Sequence, residues 1–131
     1  MQSILSKYSN ETYALVRIVS GFLFAFHGAQ KVLGLFGGAG GDSGAAAPLV
    51  SLMGLAGIVE LVGGLLIAVG FLTSWAAFIS SGQMAVAYFM AHQPHGLWPI
   101  ENKGELAAIY AFVFLFIAAK GPGIWSLDKK G

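Results

Sequence analysis

The chain has 131 residues, of which 56% are hydrophobic and only 10% charged, and its mean hydropathy is +0.75. Soluble domains carry about 25% charged residues, so too few are present to cover a wet surface; disordered, coiled-coil and disulfide-stapled classes are excluded too. A net charge of +1 leaves no basic field for nucleic acid, and the absence of cysteine excludes thiol–disulfide exchange, cysteine-ligated iron–sulfur clusters and c-type haem attachment on this chain.

What remains is a single-domain integral membrane protein. A hydrocarbon core about 30 Å thick needs roughly 20 apolar residues as helix. Four stretches approach that length, at about 13–36, 49–72, 75–91 and 105–120. Asn10 and Glu11 suit the start of the first. Arg17, His27 and Lys31 interrupt it, and with its length they argue against a cleaved signal peptide. A glycine-rich loop, 37–47, follows. Pro48 fits the first position of the second helix.

The 71–74 link is short and predicts an antiparallel hairpin, with Thr73 or Ser74 capping the third helix. Residues 93–103 hold two prolines, two histidines and Trp98, as an interfacial loop does. Asn102 and Glu105 have capping-box spacing for the fourth helix. Lys120, Gly121 and Pro122 form its stop signal.

The reading is therefore an all-α, up-down four-helix bundle in the lipid bilayer. Lys7, Arg17, Lys120, Lys129 and Lys130 fall on the side of the termini, against Lys31 and Lys103 on the other. That bias places both termini in the cytoplasm.

Polar groups inside the spans carry the functional signal, because an ionisable side chain at mid-bilayer costs about 2.5–3.5 kcal/mol on insertion scales. At 1.5 Å per residue, His27 lies roughly 21 Å from the inner end of its helix and Glu60 roughly 18 Å. Gln83 lies at roughly 15 Å and Tyr110 at roughly 13 Å, so each helix offers one polar group to a common slab. Met53, Gly57, Glu60 and Gly64 share one face of the second helix, and glycines there allow close backbone approach. Glu60 and His27 are the catalytic candidates. Gln83, Tyr110, Lys31 and Arg17 are the ligand-binding candidates. Lys31 also suits an outer-interface anchor, and Arg17 a snorkelling anchor near the inner end. No metal or haem motif is found. His92, His95, Glu101 and Glu105 are weak metal candidates, since their spacing on a loop fixes no geometry.

The segments FHGAQKVLGLFGG (26–38), GIVELVGGLLIAVGFLTSWAA (57–77), MAHQPHG (90–96), NKGELAAIY (102–110) and KGPGIWSLD (120–128) resemble the DoxX family of small four-helix membrane proteins. The resemblance spans nearly the whole chain. It implies a bacterial-type inner-membrane, multi-pass protein associated with redox metabolism, as a quinone-linked subunit or as a membrane partner in stress complexes. It supplies no agreed catalytic set. Three functions follow as expectations. One is a quinone-binding subunit of an oxidoreductase, with another protein or a further copy as partner. The second is a scaffold that docks a soluble redox or stress enzyme. The third is a small oligomeric transporter.

Overall fold

The computed structural model describes residues 1–39 and 45–129, and among these every regular element is helical. A short turn, Gln2–Leu5, and a 3-10 turn, Ser6–Tyr8, lead into α1 (Ser9–Leu33). Next come α2 (Leu52–Val69), α3 (Thr73–Ala87) and α4 (Glu105–Lys120). Between α3 and α4 lie a π turn (Tyr88–His92), a 3-10 turn (Gln93–His95) and a short helix (Pro99–Asn102). The central part of the 37–47 loop and Lys130 lie outside the described residues.

Two helical stretches, Gln2–Leu33 and Leu52–Val69, are long and apolar enough to cross a bilayer. The third and fourth expected spans form helices of 15 and 16 residues. Both fall short of the roughly 20 residues a straight crossing needs.

Glycine dictates how α1 meets α2. A Cβ on Gly64 would lie 2.5 Å from the Ala25 amide nitrogen, and one on Gly21 would lie 2.6 Å from that of Ala68. The backbones therefore touch, and the order of these contacts makes the two helices antiparallel. Contact this close secures dispersion energy and needs no large side chains.

Aromatic side chains join α1 to α4. The Phe24 ring lies 5.3 Å from that of Tyr110 and 4.7 Å from that of Phe114. Tyr13 donates a hydrogen bond to the Gly121 carbonyl at the other end. Ser81 of α3 donates to the Ala111 carbonyl at 2.6 Å and ties α3 to α4.

Three expected helix starts are corrected. Pro48 precedes α2, which begins after Ser51, whose hydroxyl accepts from the Gly54 amide at 3.0 Å. Neither Thr73 nor Ser74 caps α3. The Asp128 carboxylate does so from the far end of the chain, accepting from the Leu72 and Thr73 amides at 2.9 Å and from the Thr73 hydroxyl at 2.7 Å. Asn102 does not cap α4 either. Its Oδ1 accepts from the Gly104 amide at 2.8 Å, while its Nδ2 donates to Tyr88 and to the Gly96 carbonyl. A buried Asn102 thus organises the 93–104 connection.

The α2–α3 link is a tight turn, as expected. Gly70 takes a left-handed conformation with φ +72°, and the Phe71 amide reaches back to the Leu66 carbonyl at 2.9 Å, which closes α2. Leu72 follows at φ +49°, unfavourable for a residue with a Cβ. Its amide is the one that Asp128 holds.

Candidate functional site

The polar residues expected to converge do converge. A cavity of about 620 Å³ is lined by Phe24, His27 and Lys31 from α1, Glu60 from α2, Gln83 and Met84 from α3, and Tyr110 from α4. The volume falls within the range of small-molecule sites. Leu52, Met53, Leu55, Ala56 and Val59 form the apolar wall on α2; Val86, Ala87, Met90 and Ala91 form it on α3 and the π turn. His92, Lys103, Leu106 and Ala107 complete the boundary.

Glu60 is 1% exposed, and its salt-bridge partner is Lys31. The Lys31 ammonium donates to both carboxylate oxygens at 2.6 Å. Lys31 is therefore not an interface anchor. Its aliphatic stem lies along α2, where a Cβ on Gly57 would come within 2.8 Å of the Lys31 Cβ. The glycine clears the path that lets the ammonium reach inward. Opposite charges this close offset part of the cost of burying the carboxylate.

The remaining polar groups are less committed. The Gln83 Oε1 is buried with no hydrogen-bond partner. Among the described residues, neither the His27 ring nor the Tyr110 hydroxyl makes a hydrogen bond. The two rings stand edge to face, 6.2 Å apart. Buried polar groups are normally paired. A wall with a phenol, an imidazole and an amide available is suited to receive the polar end of a ligand.

Arg17, expected to snorkel and counted among the ligand-binding candidates, is elsewhere. It is fully buried at the opposite end of α2. Nη1 donates to the Ile67 and Ala68 carbonyls at 3.1 and 2.9 Å, and Nη2 to those of Ile124 and Trp125 at 2.9 and 2.7 Å. It closes the C-terminus of α2 and pins the tail. That tail adds Leu127 N–H to the Val69 carbonyl and Asp128 N–H to the Gly70 carbonyl. Hydrogen bonds from the Thr73 hydroxyl, then from the Thr73 and Leu72 amides, hold the Asp128 carboxyl below the usual carboxylate range, with a smaller contribution from the Arg17 charge.

The weak metal candidates do not come together. Among the described residues no group of three or more His, Asp or Glu side chains could hold a metal ion. His92 instead donates from Nδ1 to the Asn102 carbonyl at 3.1 Å. His92 and Lys103 border the cavity, and neither was expected there. For His92 the cause is structural: the π turn at Tyr88–His92 places Met90, Ala91 and His92 on the lining in succession.

All-helical, with two apolar helices of bilayer length and an apolar cavity with polar groups on one wall, the chain has the features of a small helical membrane protein. The chain belongs to the DoxX family, whose model matches residues 12–93. It is also similar to an uncharacterized protein of Haemophilus influenzae, 39% identical over 129 residues, which is 96% of this chain and 95% of the relative. No solved structure matches it. The E-x-x-G-G run at Glu60, Gly63 and Gly64 lies within the matched residues, and so does Thr73 of the Thr73–Asp128 cap. The first belongs to the cavity and its packing, the second to the fold.

Proposed function

We propose that this chain is a multi-pass inner-membrane protein, an up-down four-helix bundle with cytoplasmic termini, whose cavity holds the headgroup of a quinone as the quinone-linked subunit of a redox assembly. One observation carries the reading: His27, the Lys31–Glu60 pair, Gln83 and Tyr110 come from four helices and line one largely apolar cavity. A quinone is an apolar ring with two hydrogen-bond acceptors, and it takes up two electrons and two protons on reduction.

The Tyr110 hydroxyl and the Gln83 amide are donors for the ring oxygens. His27 stands edge-on to the phenol and serves as a third donor. Glu60 is the proton-carrying group, and Lys31 is the hydrogen-bond donor that positions its carboxyl. The electrons are exchanged with a partner subunit or a second copy of the chain, since the chain has no cysteine with which to form a dithiol of its own.

The test is extraction of the protein in mild detergent and mass spectrometry of what copurifies. The wild type is expected to carry quinone, and the Tyr110→Phe/Gln83→Leu double variant to lose most of it at equal yield. Equal quinone in both, or none in either, overturns the reading.

A further inference from the structure

The cavity has a direction. Its deep wall, formed by Phe24, Glu60, Ala107 and Tyr110, is buried. Its opposite boundary is a mouth: Leu55 of α2 is 55% exposed, and Val86 of α3 and Met90 of the π turn are 54% and 58% exposed. The two helices that frame this mouth begin as a tight hairpin. A Cβ on Gly63 would lie 2.6 Å from the Ser80 hydroxyl. Farther from the turn, Leu55 and Val59 of α2 and Val86 and Met90 on the other side line the cavity. The π turn continues α3 on this side of the cavity. All four mouth side chains are apolar. Because α2 is one of the helices of bilayer length, this opening would face acyl chains in the membrane topology proposed above.

We infer that the cavity is reached sideways from the bilayer, through the mouth between α2 and α3. Its ligand is a lipid-soluble molecule that seats a hydrogen-bonding head on the deep wall and leaves a slender apolar chain in the mouth. The inference rests on the reading of the cavity as a ligand site and adds the route and the chain. A fully polar ligand would shed its water at a rim that offers no hydrogen bond, at a cost of several kcal/mol per polar group. A ligand already dissolved in lipid has no such cost. The competing route runs past Lys103 and His92 at the loop end of the cavity.

The absence of cysteine makes the route measurable. A thiol at Ala107→Cys sits on the deep wall, and one at Phe112→Cys, where the native ring is 73% exposed, reports the lipid-facing surface. Both variants are placed in nanodiscs and labelled with an N-alkyl maleimide or a charged, sulfonated maleimide. The alkyl reagent is expected to label Ala107→Cys at least about tenfold faster than the charged one does. Adding Val59→Trp, which fills the mouth, should slow alkyl labelling of Ala107→Cys by about tenfold or more and leave Phe112→Cys unchanged. Equal rates with the charged reagent, or no effect of Val59→Trp, overturn the sideways route. If Ala107→Cys does not fold, Ala87→Cys on the opposite wall is read in the same way. Failure of the quinone reading is distinguishable: the protein would then carry no quinone while labelling as described.

Discussion

Glu60 and Lys31 form one unit, and their energetics follow from burial. Removing one partner of a buried ion pair leaves a charge without compensation, at roughly 3–5 kcal/mol. Lys31→Met should therefore lower thermal stability in detergent markedly. Lys31→Met combined with Glu60→Gln should restore part of that loss, and a double-mutant cycle measures the coupling. Glu60→Gln alone keeps the shape, and we expect near-normal yield and assembly with loss of quinone-linked activity. Full activity of a stable Gln variant would remove Glu60 from the mechanism. Glu60 was legible in the sequence because a carboxylate at mid-depth must turn away from lipid, and the glycines on its own face show where another backbone comes close. Its partner was not. Depth arithmetic follows Cα positions, and a lysine stem held against Gly57 reaches several ångströms from its own. Arg17 was misplaced for the same reason, since its guanidinium caps carbonyls at the end of α2 and does not extend to water.

The start of α3 depends on a residue 55 positions away in sequence. Asp128→Ala should cost about 0.5–2 kcal/mol, as loss of an N-cap does. It also releases the strained Leu72 turn. Because the folded state holds this carboxyl below its ordinary range, its contribution is complete above the unfolded value. The contribution is lost as pH falls through the depressed folded value. Thermal unfolding should show that acid sensitivity in the wild type and less of it in Asp128→Asn; identical acid profiles would show that the cap does not matter. At the α1–α2 interface, Gly64→Leu should cost at least the roughly 1–3 kcal/mol of an overpacked core, because backbone stands where the side chain must go. A variant as stable as wild type would refute that contact. Helix positions were legible from apolar runs and stop signals. The long-range cap and the π turn were not, because apolar periodicity records neither a partner at the other end of the chain nor one inserted residue.

Across the whole molecule, the proposed topology puts both termini on the cytoplasmic side and the 93–104 connection outside. Single cysteines at Ser3, Gln93 and Ser126, probed with an impermeant thiol reagent in intact cells, should label only at Gln93. Labelling at Ser3 or Ser126 alone would reverse the orientation. The central claim is that polar groups from four helices receive a quinone headgroup. Its most direct test is a photoreactive quinone activated on the protein in nanodiscs, with adducts located by peptide mass spectrometry. Adducts are expected on the segments around His27, Gln83 and Tyr110, suppressed by excess unlabelled quinone and by Val59→Trp. Adducts scattered over lipid-facing positions such as Phe112, and indifferent to competing quinone, would contradict it.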